Sequence, residues 1–351
     1  MPWLLWLQYA KKELSALPVQ IKIILLNSAL LDRTALEEAA FTVARFLRPT
    51  PLVRSSYFSE LTGADVWLKL ESLQPTHSFK VRGAINAVAH LKKEQREKGV
   101  VTASGGNHGL GVAFASRLLE TTATVYLPVK TPELKVKALE RLGAEIILHG
   151  SAWDEANALA LMEAEKNDLT YIHPFNESLV MAGQGTIIKE IVDDTSAPKP
   201  DLIMASIGGG GLISGIISAA RCYLPSARVS GVETKGADCM KRSVEAGEIV
   251  ELDRISSIAD SLGARKTEER PFSIIKDFIT ELAVVEDRAA VEAAFTLLEE
   301  EKLLAEPAAS CCLAALSNGQ ISFSSGECIV VIVCGANISL EKLQSFRNEL
   351  S

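Results

Sequence analysis

No Cys-x-x-Cys pair occurs in this chain of 351 residues, although it has six cysteines, and its five histidines are scattered without ligand spacing. Neither a zinc site nor a disulfide framework is supported, and a reducing compartment, the cytoplasm, is expected. Positive charge is also in deficit: 36 Lys and Arg stand against 44 Asp and Glu, for a net charge of -8. Nucleic-acid binding calls for a basic face, so a small-molecule partner is the better reading. No apolar run reaches the roughly 18 residues a membrane helix needs, so no membrane partner is expected. The opening MPWLLWLQYAKKELSALPVQIKIILLN carries its lysines after the apolar patch, the reverse of a secretory signal. It reads as an N-terminal helix packed on the body or on a partner, and residues 1–35 form an extension. Repeats, low-complexity tracts and linkers are missing too.

What is present is the composition of an ordinary globular protein, 48% hydrophobic and 23% charged. The length exceeds what one core usually supports, which predicts two domains. Short Val- and Ile-rich runs alternate with helical stretches: GVVTASG leads into NHGLGVAFASRLLE, ATVYLPV into PELKVKALERLG, and AEIILHG into WDEANALALMEAEKN. Further on, DLIMASIGGGG leads into LISGIISAARCYL, followed by RVSGVET, by ELAVVED with RAAVEAAFTLLEEEKLL, and by ECIVVIVCGAN. The class is α/β with parallel sheets. Ligands in such sheets bind where strands turn into helices. That places TASGGNHG, ASIGGGGLISG and VCGAN on the functional rim.

Gly208, Gly209, Gly210 and Gly211 follow a strand and open a helix. Bare backbone N–H groups at a helix N-terminus suit an anion such as phosphate, although such a run can also be a plain tight turn. No Walker lysine follows, and G-x-G-x-x-G is out of register. Ser104-Gly105-Gly106-Asn107-His108 likewise enters a helix; it offers donors for a carboxylate, or a capped helix start. Lys80, in ESLQPTHSFKVRG, is either a solvated surface charge or an amine of lowered pKa in a partly dry pocket. Cys334 ends an apolar strand as a small hydrophobe or as a weak donor to a ring nitrogen. An amine, a phosphate cradle, an anion loop and a polar strand end together are what pyridoxal 5′-phosphate demands.

The segments KLESLQPT, SFKVRGA, SGGNHG, IHPFN, AGQGT, GGGGLISG, GVET, EKLLAEPA and VCGAN, in this order over roughly residues 48–340, resemble the fold-type II pyridoxal-phosphate enzymes. The branch they resemble is the serine/threonine dehydratases (ammonia-lyases). The resemblance implies a tryptophan synthase β-like fold of two parallel-sheet α/β domains with the cofactor in the cleft. Residues 1–92 and 178–351 would form the large domain and 93–177 the small one. It implies Lys80 as Schiff-base lysine and later the base for the α-proton, and Gly208 to Gly211 as phosphate cradle. Asn107 would lie beside the phenolic oxygen, Phe79 near the ring and Cys334 at the pyridine nitrogen, with Ser104, Asn107 and His108 on the substrate carboxylate. The implied reaction is elimination of water and ammonia from L-threonine or L-serine, giving 2-oxobutyrate or pyruvate.

Departures from the family pattern sharpen this. Gly105 stands where many relatives, including serine racemases, have the serine that exchanges a proton on the opposite substrate face, so racemisation is disfavoured. His77 replaces a usual glycine and puts an imidazole either close to the substrate or stacked on the small domain. Glu233 and the Ala237 carbonyl match a cation site whose third position is Cys239 here, which favours a monovalent ion such as potassium over a divalent one or leaves a plain surface turn. Glu306, in LLAEPAAS, either tunes the ring, holds a catalytic water or pairs with a helix end. The chain stops soon after VCGAN, so no regulatory domain and no isoleucine feedback are expected; a homodimer is the default. Rival readings are a related lyase or racemase acting on a substrate such as 3-hydroxyaspartate, with Arg82 and Arg265 as candidate cations for its second carboxylate, and a non-catalytic cofactor-binding protein.

Overall fold

A computed structural model describes residues 30–350; the opening segment with its expected helix lies outside them except for its last residues. Ten strands follow in chain order among the described residues: β1 (Leu52–Arg54), β2 (Asp65–Lys69), β3 (Val100–Thr102), β4 (Ala123–Leu127), β5 (Glu145–Leu148), β6 (Thr170–Tyr171), β7 (Leu202–Ser206), β8 (Arg228–Thr234), β9 (Glu281–Val285) and β10 (Cys328–Ile332). They form two sheets, a six-stranded one in the order β1-β2-β10-β7-β8-β9 and a four-stranded one in the order β5-β4-β3-β6. All pairings are parallel except β1 with β2. This is the expected α/β architecture of two parallel-sheet domains, with one antiparallel edge strand that alternation alone did not reveal.

The strands at the centre explain their own composition. Every residue of β7 and of β10 is buried. Such strands need an apolar side chain on both faces, which is why they read as unbroken runs rather than as alternation. β10, last in sequence, lies between β2 and β7. The crevice at the carboxyl ends of these three strands is therefore built by chain segments far apart in sequence.

Lys80 opens the helix Lys80–Ala89. Val81, Ala84, Ile85 and Val88 of this helix share one apolar cluster with Val100, Val125 and Leu127 of the four-stranded sheet. Two neighbouring helices approach its backbone closely. A Cβ on Gly111, in the helix Asn107–Leu118, would come within 3.1 Å of the Lys80 carbonyl carbon, and one on Gly183, in the helix Ser178–Asp193, within 2.6 Å of Gly83 Cα. At Gly183 only glycine permits the approach, and at Gly111 a Cβ would already be tight against backbone.

A buried ion quartet ties the same helix to β2. Arg82 binds Glu71 at 2.6 and 2.7 Å and Glu190 at 2.6 and 2.8 Å. Lys69, the last residue of β2, adds its amine to Glu190 at 2.6 Å and to the Thr50 carbonyl at 2.7 Å. Two cations and two carboxylates cancel, as burial requires.

Candidate active site

The loop that delivers Lys80 is held by the segment after β10. Phe79 N–H donates to the Cys334 carbonyl at 3.0 Å, Ala336 N–H to the His77 carbonyl at 2.9 Å, and Ser78 bridges Gly335. Lys80 keeps some surface in the cleft, yet its surroundings are protein: the amine donates to the Pro174 carbonyl at 2.8 Å and lies 5.2 Å from the Phe79 ring centroid. Loss of water lowers its pKa to about 8, against a small upward pull from Cys334. Of the two readings of Lys80, the surface charge is thereby set aside.

Gly208 to Gly211 run from the end of β7 into the helix Gly211–Tyr223. Gly210 has φ +98°, a left-handed conformation that favours glycine, and a Cβ on Gly209 would fall 2.3 Å from the Phe175 ring. Among the described residues, the N–H groups of Gly208 through Leu212 donate to no protein acceptor. A glycine turn with orphaned amides at the start of a 13-residue helix has the donor set that a phosphate requires.

Asn107, the first residue of its helix, is fixed at both ends of its amide. Nδ2 donates to Glu306 Oε1 at 2.8 Å and weakly to Ser261 Oγ at 3.3 Å, and Oδ1 accepts from Asn337 Nδ2 at 2.6 Å. Asn337 in turn donates to the Thr76 carbonyl at 2.8 Å. Burial raises the Glu306 pKa, opposed by its bonds from Ser261 and Asn107. Its Oε1 holds the Asn107 amide. His108 is buried with Nε2 at 2.9 Å from the Ile172 carbonyl, so that nitrogen carries the proton and Nδ1 is left as an unpartnered acceptor. Burial, with the Lys80 charge adding, pushes its pKa down to about 3. Thr76 Oγ1 and Ser78 Oγ are likewise buried without a partner. Ser104 is half-buried, its Oγ accepting from Gly106 N–H at 3.3 Å. Cys334 is buried beside Ser206, Sγ to Oγ 3.3 Å.

Several expectations change. His77 is exposed, adopts φ +55°, and its imidazole makes no ring contact among the described residues, so it is not stacked on the small domain. The positive φ is why glycine is the usual residue there. Arg82 and Arg265 are not free to meet a second substrate carboxylate: Arg82 is spent in the quartet, and Arg265 bonds Asp154 at 3.1 Å and Glu251 at 2.7 Å. Glu233 is buried and uses both oxygens to cap a helix, taking Met240 N–H at 3.0 Å and Lys241 N–H at 2.7 Å. Among the described residues no group of three or more His, Cys, Asp or Glu could hold a metal ion. Sequence reasoning assigned no role to Ser206, Ser261, Asn337 or the segment His173–Phe175. IHPFN, ASIGGGGLISG and VCGAN did mark three of these places, whereas nothing local signals Ser261.

The model of the family "Pyridoxal-phosphate dependent enzyme" matches residues 43–335. The chain belongs to this family, in its fold-type II branch. It is 40% identical over 314 residues to an L-threonine ammonia-lyase of Geobacter sulfurreducens, covering 90% of this chain and 77% of that protein. Among solved structures, the processed threonine deaminase isoform 2 of Solanum lycopersicum superposes with a TM-score of 0.85 at 31% identity, covering 92% of this chain and 90% of that one. Maize serine racemase superposes equally well, TM-score 0.85 at 33% identity over 91% and 98% of the two chains. The particular place of this chain within the family is among the pyridoxal-phosphate lyases of the threonine/serine ammonia-lyase group.

Proposed function

We propose that the protein eliminates water and ammonia from L-threonine or L-serine, releasing 2-oxobutyrate or pyruvate, at the cleft that holds Lys80. The observation that carries this reading is the Lys80 amine, lowered to about 8 in a cleft that also presents the orphaned amides of Gly208 to Leu212. Pyridoxal phosphate, when bound, supplies the electron sink that makes an amino acid's α-proton acidic. Gly208 to Gly211 hold its phosphate, Phe79 packs near its ring, Asn107 meets its phenolic oxygen in place of the weak Ser261 bond, and Cys334 faces its pyridine nitrogen. Lys80 would anchor it through the amine, and the free amine would take the α-proton of the substrate; a pKa near the working pH suits both tasks.

Ser104, Asn107 and His108 receive the substrate carboxylate. For His108 the backbone N–H at the helix start does so, since its only free ring atom is a lone pair. Gly105 has no proton to give the opposite face, which favours elimination over racemisation. With Arg82 and Arg265 both paired, the site suits a substrate with a neutral side chain over 3-hydroxyaspartate.

The same reading divides the chain into a large domain of residues 1–92 and 178–351 and a small one of 93–177, and it includes a cytoplasmic homodimer. It also places a monovalent cation such as potassium at Glu233 and the Ala237 carbonyl. What favours it is a buried carboxylate whose pKa burial raises to about 8, with no ion-pair partner among the described residues.

Keto-acid release from L-threonine, L-serine and 3-hydroxyaspartate, with pyridoxal phosphate and with or without potassium, tests the proposal. Release from either of the first two, abolished in Lys80→Ala, is the expected result. No release from either, with a normal cofactor spectrum, sinks it.

A further inference from the structure

Ser206 is the last residue of β7, immediately before the glycine turn, and is buried. Its hydroxyl has one hydrogen-bond partner among the described residues, the Cys334 thiol at 3.3 Å. The thiol has a second possible acceptor, the Ala308 carbonyl at 3.8 Å. Two proton arrangements are open. If Cys334 donates to Ser206, the serine proton is left buried without an acceptor. If Ser206 donates to Sγ, its proton is satisfied and the thiol proton turns away from the serine. Buried donors are almost always paired, which selects the second arrangement.

We propose that Ser206 is a positioning residue: by donating to Cys334 Sγ it aims the thiol proton at the pyridine nitrogen of the cofactor. This rests on the reading of Cys334 as the pyridine partner. A sulfur that already accepts a hydrogen bond is a better donor, because hydrogen bonds in a chain polarise one another. Burial, with Glu306 adding, raises the Cys334 pKa, which keeps the thiol protonated. The thiol proton is thereby kept off the serine, with only the long Ala308 contact in competition among the described residues, and a bound ring would receive the hydrogen bond as a neutral pyridine. Cys334 alone could rotate its proton elsewhere.

The test is equilibrium binding to the full chain, stripped of cofactor and reloaded, with pyridoxal phosphate and with its carbocyclic analogue in which C–H replaces the ring nitrogen. The readout is the ratio of the two dissociation constants, which a merely structural role would not move. The wild-type chain is expected to favour the natural cofactor by about tenfold, the scale of one hydrogen bond. Ser206→Ala should cut that preference to about threefold or less, on the same scale. Ser206→Thr, which keeps the hydroxyl, should restore it, and Cys334→Ala should abolish it. An unchanged ratio in Ser206→Ala with a collapsed one in Cys334→Ala overturns the role of Ser206 alone. A wild-type chain that does not distinguish the two ligands overturns the Cys334 reading and this proposal with it.

Discussion

At the scale of single residues, the cleft is governed by what burial does to groups that water would otherwise level. Lys80 is the plainest case. With its pKa lowered to about 8 from 10.5, the cofactor-free amine should react with an electrophilic label along a titration curve centred near pH 8. A midpoint at the ordinary lysine value would mean that the amine is solvated. His77 makes a second case, because φ +55° strains a side chain that nothing buries. His77→Gly should raise stability by up to about 1 kcal/mol in a urea titration. A loss of stability would show that the imidazole has a partner. The candidate residues were legible in sequence because each sits in a short motif of unusual composition. The bonds that hold them were not: Asn107 is fixed by Ser261, Glu306 and Asn337, all remote in the chain, and no local pattern carries that.

At the scale of elements, glycines decide how near two helices can lie. Gly183→Ala would push a methyl to 2.6 Å from Gly83 Cα, backbone that cannot swing aside. The expected cost is about 3 kcal/mol, the upper range for overpacking, together with a weaker hold on the cofactor as the Lys80 helix shifts. Thermal unfolding and cofactor titration of the variant check both. A Cβ on Gly105 meets only Leu127 Cδ2 at 3.3 Å and Thr131 Cγ2 at 3.4 Å, both side-chain methyls. Gly105→Ser should therefore fold, and it supplies a hydroxyl where the opposite-face proton donor is missing; chiral analysis of recovered serine should show D-serine in the variant and none in the parent. Strands β3, β4, β5, β7, β8, β9 and β10 were legible as apolar runs, most of them leading into a helix. β1, with one buried residue of three, and β6, of two residues, carry no apolar run to register, and their place comes from neighbours.

At the scale of the whole molecule, charge is arranged differently inside and outside. Removing Arg82 from the quartet leaves the Glu71 carboxylate uncompensated in a dry interior. Arg82→Met should cost about 3–5 kcal/mol, whereas Arg265→Met, which loses exposed pairs to Asp154 and Glu251, should cost under about 1 kcal/mol. Chemical denaturation of the two variants distinguishes these. Burial pushes the Glu71 pKa up, but the Arg82 charge and its hydrogen bonds prevail and hold it below 4.5. Its contribution is then present above that ordinary value and lost as pH falls through the lower folded one, so the wild-type chain should lose stability on acidification. A flat acid limb would contradict the ion pairing. None of this quartet was foreseen from sequence, because Lys69, Glu71, Arg82 and Glu190 meet only after β2 and two helices have packed.

The place of β10 has a consequence for how the protein is made. Asp65 pairs with Cys328, and β2 reaches β7 only through that late strand. During synthesis on a ribosome the four-stranded sheet can close as soon as its own segment emerges, but the larger sheet stays split, with β2 and β7 each showing an open edge. Those edges are the kind that chaperones cover and that otherwise recruit neighbouring chains. The cleft between β2, β10 and β7 is thus complete only once β10 has been made.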